Sequence, residues 1–202
     1  MDVKVKICGL TTIQEALMLN KYKADYAGFV MFYEKSKRFN TVQNTWKILR
    51  YLDRTIKKVA VTVSPTTDQV LMIEQMDFQI LQVHGKLSDE VRQMVKIPVW
   101  YAYPISENTI LSEYRNDPKI SGYLLDGAVP GSGKTFEWSS LKEFDRNNKM
   151  LILAGGLTPE NVQNSIEVLQ PDIVDVSSGV EGEHGKDENK IKEFIRKVRT
   201  HE

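Results

Sequence analysis

Eight short runs dominated by aliphatic and β-branched residues punctuate the chain: VKVKIC (3–8), YAGFVMF (26–32), KVAVTV (58–63), FQILQVH (78–84), VWYAY (99–103), GYLLD (122–126), MLILAG (150–155) and IVDVSS (173–178). Their length and composition predict strands. Between them lie TIQEALMLNKY, TVQNTWKILRYL, TTDQVLMIEQM, LSDEVRQMV, PENVQNSIEVL and ENKIKEFIRKVR, where apolar residues recur at helical spacing and most segments open on Thr, Ser or Pro. SENTILSEYRND, in the fifth crossover, is the least regular of the connecting segments. Strict alternation of strand and helix predicts parallel strands joined by right-handed crossovers. Eight such units in one chain predict a closed (β/α)8 TIM barrel, a single domain over residues 1–202, rather than an open sheet. A doubly wound nucleotide-binding sheet is the alternative, but its glycine-rich fingerprint is missing after the first strand, where CGLTT holds one glycine. At 202 residues the chain is near the lower limit for a barrel, so its loops must be short.

Charge and cysteine content narrow the function class. Lys plus Arg and Asp plus Glu both number 27, so no overall field favours nucleic acid or an anionic membrane, and any anion must be held locally. The one cysteine, Cys8, excludes an internal disulfide framework and points to a reducing, cytoplasmic setting. MDVKVKICGL lacks the apolar run of a signal peptide, and no stretch approaches the ~18 apolar residues of a membrane span. A soluble, monofunctional chain is expected, with monomer as the default.

In such a barrel the chemistry gathers at the C-terminal ends of the strands. The two-residue period of the first strand puts Lys4, Lys6 and Cys8 on one face and Val3, Val5 and Ile7 on the other. If the apolar face packs under the helices, the Cys8 thiol points into the barrel mouth. Asp126 ends the sixth strand and is a candidate acid. His84 ends the fourth without a His or Cys at ligand spacing, so no metal site is read. Arg38, in EKSKRFN after the second strand, offers a rigid bidentate fork for a carboxylate. The seventh and eighth strands end in Gly155 and Gly156 and in Ser177, Ser178 and Gly179; loops at those places often bind phosphate through backbone N–H groups. Pro159 marks the expected start of the next helix.

LLDGAVPGSGKTFEW (124–138) is close to a nucleotide-hydrolase phosphate loop, but Ala128 stands where its first glycine belongs. A phosphate loop also runs directly into its helix. Here the next capping signal, Ser140 with Glu143, puts that start at about residue 141, well beyond Lys134 and Thr135. A nucleotide hydrolase and a non-catalytic module for phosphorylated ligands remain rival readings at this point.

KICGLT, DYAGFVMFYEKSKRF, LQVHG, LLDGAVPGSGKTFEW, LILAGGLTPENV and VDVSSGVEG followed by GKD together resemble the phosphoribosylanthranilate isomerase family, in the family's order and over nearly the whole chain. The resemblance implies a (β/α)8 barrel and an Amadori rearrangement of N-(5-phosphoribosyl)anthranilate that needs no metal or cofactor. It implies Cys8 as general base and Asp126 as general acid, with Arg38 holding the anthranilate carboxylate. It further implies a phosphate cradle from Gly156, Ser178 and Gly179, with Asp175 near the sugar hydroxyls; from their places at strand ends, His84, Gly155 and Ser177 are expected to line the same substrate. The chain departs from the family's pattern after the third strand, where TVSPT replaces an apolar-Val-Asn sequence, and at WYAYP after the fifth.

Overall fold

The strand–helix alternation closes into a ring. A computed structural model describes residues 2–105, 117–127 and 146–200. Its barrel strands are β1 (Lys4–Cys8), β2 (Tyr26–Met31), β3 (Lys57–Val63), β4 (Ile80–His84), β5 (Val99–Ile105), β6 (Ile120–Gly127), β7 (Met150–Ala154) and β8 (Ile173–Val176). Each pairs in parallel with the next. The ring shuts because β1 pairs with β8 on its other edge, Lys4 opposite Ile173 and Lys6 opposite Asp175. The described helices are α1 (Ile13–Tyr22), α2 (Val42–Leu49), α3 (Thr67–Gln75), α4 (Asp89–Met94), α5 (Val162–Leu169) and α6 (Glu188–Arg199). A two-residue strand, Phe39–Asn40, pairs with the end of β2, and a short hairpin, Glu181–Gly182 against Gly185–Lys186, follows β8. Most of SENTILSEYRND, the GSGKT loop with Lys134, and the helix start at Ser140–Glu143 lie outside the described residues.

Hydroxyl caps start the helices where the sequence places them. Thr12 accepts from the Glu15 N–H while Glu15 reaches back, and Thr66 with Gln69 repeats the arrangement. Thr41 and Ser88 cap α2 and α4 through the third residue on. One start differs: α5 begins at Val162, not at Pro159. Asn161 Oδ1 accepts from the Thr158 N–H, and the Thr158 carbonyl accepts from the Asn161 and Val162 N–H groups, so residues 158–161 are spent on a turn before the helix opens.

Two apolar layers meet at the sheet. Val5, Ile7, Ala27 and Phe29 are fully buried on the side covered by helices, as the period of the first strand predicts. Tyr26, Val59, Val61, Ile80, Trp100, Leu124 and Ile152 fill the barrel interior. Each fully buried aliphatic or aromatic side chain contributes about 1.5–3 kcal/mol. Lys6, Gln82 and Asp175 are buried at interior positions of their strands, where apolar residues would cost less. Among the described residues, no helix is long and apolar enough to cross a membrane.

Candidate active site

Cys8 is the last residue of β1, and its register partner on β2 is Gly28. A Cβ at Gly28 would lie 2.7 Å from the Cys8 sulfur and 3.2 Å from Lys6 Cε, so the glycine makes the space in which thiol and ammonium sit. Gly9 follows with φ of 80°, in the left-handed region that favours glycine, and a Cβ there would fall 2.3 Å from Arg38 Cδ. The Arg38 stem therefore lies across Gly9, just past the end of β1. Burial pushes the Cys8 thiol up, and the opposing pull of Lys6 does not fully offset it.

Lys6 and Asp175 form the centre of the interior. Nζ donates to Asp175 Oδ2 at 2.7 Å, with both side chains buried, while Asp175 Oδ1 is buried and meets no hydrogen-bond partner among the described residues. Burial works against the Lys6 ammonium, but Asp175 and the neighbouring thiol outweigh it and raise its pKa, so the lysine stays charged.

Asp126 lies next to the end of β6, opposite Ala154. Gly155, with φ of 86°, turns the β7 loop directly beside it, where a Cβ would meet Gly127 N at 2.1 Å and Asp126 Oδ1 at 2.8 Å. Burial, helped by the charge of Asp175 and opposed by Lys6, raises the carboxyl to about 6. His84 ends β4; burial and then Lys6 push it down to about 4, so its imidazole is neutral near pH 7. The Gln82 amide, 2.9 Å from its Nε2, places the ring proton on Nδ1 when it donates there.

Beyond β8, the backbone passes through Ser177 into a single short 3-10 turn, Ser178–Val180. Gly179 packs against the β7 loop so closely that a Cβ would overlap the Leu157 carbonyl at 1.9 Å. The Gly156 carbonyl accepts from Asn161 Nδ2 at 2.9 Å, which ties down the facing loop. The Ser177 hydroxyl donates to the Cys8 carbonyl at 2.8 Å, so its side chain holds the end of β1.

Arg38 is paired: Nε and Nη2 donate to the two carboxylate oxygens of Glu181 at 2.5 and 3.0 Å. The Lys6–Asp175 pairing and the supporting roles of Gly28, Glu181 and Lys186 are absent from the sequence reading. Lys6 and Asp175 were legible as inward positions on strands that become neighbours on closure, and Gly28 as an inward glycine. Glu181 and Lys186 gave no signal, because a hairpin of two-residue strands has no readable period. Among the described residues, no group of three or more His, Cys, Asp or Glu side chains is placed to hold a metal ion.

The comparisons with known proteins converge. The family model described as N-(5'phosphoribosyl)anthranilate (PRA) isomerase matches residues 5–197. The isomerase of Clostridium acetobutylicum is 40% identical over 204 residues, covering 98% of both chains. The crystal structure of the Thermotoga maritima enzyme superposes with a TM-score of 0.89 at 36% identity, covering 98% of this chain and 99% of that one, and a further structure of the Thermotoga maritima protein describes it as dimeric. A phosphoribosylanthranilate isomerase in complex with reduced 1-(o-carboxyphenylamino)-1-deoxyribulose 5-phosphate gives a TM-score of 0.86 at 33% identity, over 98% and 99% of the two chains. A barrel with these strand-end residues, matched over nearly its whole length, belongs to the phosphoribosylanthranilate isomerase family, the enzymes that convert N-(5-phosphoribosyl)anthranilate to 1-(2-carboxyphenylamino)-1-deoxyribulose 5-phosphate in tryptophan biosynthesis.

Proposed function

We propose that Asp126 is the general acid and Cys8 the general base of this isomerisation. The observation that carries the reading is the company of the single thiol: it shares the barrel interior with a carboxyl held at about 6, around the buried Lys6–Asp175 pair. Asp126 delivers a proton to the furanose oxygen as the ring opens, leaving an iminium at C1. The iminium acidifies the C2 hydrogen, which the Cys8 thiolate removes. The Asp126 carboxylate then takes the C2 hydroxyl proton of the resulting enolamine while the Cys8 thiol returns a proton to C1, and the ketone forms. Both protein groups return to their starting protonation, so the reaction balances without a metal or cofactor.

In the free protein near pH 7 the prevailing form is the unproductive one, a carboxylate and a thiol. The substrate corrects this. Its phosphate and carboxylate raise the Asp126 carboxyl further, and the iminium favours the thiolate. Asp175 Oδ1 supplies an acceptor for a sugar hydroxyl, and neutral His84 lines the same interior. Gly155, Gly156, Ser178 and Gly179 present backbone to the phosphate, Ser177 braces that loop, and Arg38 takes the anthranilate carboxylate. The working state is proposed to be a cytoplasmic monomer: among the described residues the exposed large apolar side chains, Leu17, Trp46, Tyr51, Val63, Leu71 and Met72, are spread over α1, α2 and the turn after it, the end of β3, and α3. Sedimentation at twice 23.2 kDa, as expected for a dimer like the Thermotoga maritima relative, would overturn that point.

Turnover and binding measured on separate variants test the roles. Cys8→Ser and Asp126→Asn should each lower kcat by at least ~100-fold while calorimetric affinity for reduced 1-(o-carboxyphenylamino)-1-deoxyribulose 5-phosphate is retained. Arg38→Ala should weaken that ligand by about 1.5–3 kcal/mol and leave its decarboxylated counterpart unaffected. Near-normal turnover of Cys8→Ser at full occupancy would sink the assignment of the base.

A further inference from the structure

Glu181 has no role in the reaction just described, yet it sits among three cations. Arg38 takes both of its oxygens, Lys186 Nζ donates to Oε1 at 3.0 Å, and Lys37 Nζ donates to Oε2 at 3.0 Å. Three positive groups around one carboxylate leave the cluster with two positive charges in excess, which suits an anion arriving from solvent. The cluster is also anchored. Glu181 and Lys186 are cross-strand partners in the hairpin after β8, and the Lys186 side chain is 1% exposed. Lys186 also donates to the Ser177 carbonyl and hydroxyl, and that hydroxyl donates to the Cys8 carbonyl. One chain of hydrogen bonds thus runs from the Arg38 guanidinium to the backbone of the proposed base.

The edge that Glu181 occupies decides what is left over. A guanidinium has five N–H groups in a plane. Glu181 uses Nε–H and one N–H of Nη2, the side-on fork. The end-on fork, one N–H from each terminal nitrogen, stays available and has the geometry of a second carboxylate. Glu181 and a bound carboxylate therefore need not compete for Arg38. An arginine held in this way has already lost the rotamer freedom that binding would otherwise take from it.

We propose that Glu181 is a positioning residue for substrate recognition: it grips the side-on edge of Arg38 so that the end-on edge faces the substrate's carboxylate, and Lys186 fixes Glu181 in register with the Cys8 end of β1. This rests on the reading of Arg38 as the carboxylate ligand, and the test separates the two. Affinity for reduced 1-(o-carboxyphenylamino)-1-deoxyribulose 5-phosphate and for its decarboxylated counterpart is measured by calorimetry for Arg38→Ala, Glu181→Gln and the double variant, with kcat and KM alongside. Glu181→Gln should weaken the carboxylate ligand roughly tenfold, within the range for one charge-assisted hydrogen bond. KM should rise while kcat changes little, the decarboxylated ligand should bind as before, and Glu181→Gln should add nothing once Arg38 is alanine. Retained binding of the decarboxylated ligand also reports that the mouth is folded; if Glu181→Gln does not fold, Glu181→Asp, which keeps the charge and loses the reach, is read in the same way. Equal losses on both ligands, full additivity with Arg38→Ala, or tighter carboxylate binding would overturn the proposal. If Arg38→Ala shows no carboxylate-dependent loss, it is the reading of Arg38 that fails; if it does and Glu181→Gln does not, only the role of Glu181 falls.

Discussion

Asp126 and Glu181 are carboxylates at one barrel mouth whose environments pull in opposite directions. Burial opposes ionisation of both, but the Arg38, Lys186 and Lys37 contacts win at Glu181 and hold it down at about 2, whereas at Asp126 the charge of Lys6 does not offset burial and Asp175 and the carboxyl rises to about 6. The linkage signs differ accordingly. Glu181 contributes stability that is present above its ordinary 4.5 and lost as pH falls through about 2. Asp126 contributes stability that is present below its ordinary 3.8 and lost as pH rises through about 6, because the folded protein must then bury a carboxylate. Between pH 5 and 8 Glu181 is silent and Asp126 is not. Asp126→Asn should therefore stabilise the protein at pH 8, by on the order of 1–3 kcal/mol, and by roughly half as much at pH 5. Urea unfolding at the two pH values reads the difference, and a gain independent of pH would mean that ionisation of Asp126 is not its source. If Asp126 is the general acid proposed above, the same variant should be more stable and inactive, the trade expected where a buried titratable group is kept for function.

At the scale of elements, what the sequence makes legible is what has a period. All eight strands fall on the apolar runs that predict them, and the caps at Thr12, Thr41, Thr66 and Ser88 mark helix starts. The ends of elements were less legible, since they are decided by single backbone conformations such as Phe32 at φ 57°, which closes β2 one residue early, and by the turn that delays α5. The pairing of β1 with β2 carries a consequence for catalysis that no residue pattern announces. Gly28 has an ordinary strand conformation, so alanine there meets no backbone strain; what it meets is the Cys8 sulfur at 2.7 Å and Cys8 Cα at 3.1 Å. Gly28→Ala should lower kcat by about tenfold or more with KM little changed, and cost about 1–3 kcal/mol of stability through overpacking. Part of that stability should return in Gly28→Ala/Cys8→Ala, where the sulfur is gone. Unchanged kinetics in the single variant would show that the thiol has more room than this geometry gives it.

Across the whole molecule, the ring closes over a charge. Lys6 on the first strand and Asp175 on the last stand at matching register, so the seam of the barrel carries a buried ion pair in place of two aliphatic side chains. Closure of the barrel makes β1 and β8 neighbours, but with 169 positions between the two residues no pattern in the chain fixes the register that sets Lys6 opposite Asp175. Burying two charges costs several kcal/mol each, and their attraction in a low dielectric largely offsets this only while both are present. Lys6→Met should therefore cost about 3–5 kcal/mol, because it leaves Asp175 buried with neither oxygen paired. Asp175→Leu strands the lysine and should cost a similar amount. The double variant restores a neutral interior of comparable volume, and its stability should return to within about 1 kcal/mol of the parent or exceed it. Turnover should not return with it, because the pair also sets the charge felt by Cys8, Asp126 and His84, each of which is shifted by Lys6, Asp175 or both. The measurement is a denaturant double-mutant cycle with kcat determined on the same four proteins. A double variant as unstable as the worse single one would show that the barrel needs the shape of this pair; recovery of turnover together with stability would show that the pair serves closure alone. Stability regained with activity lost is the outcome expected if the interior is polar for the sake of the chemistry above it.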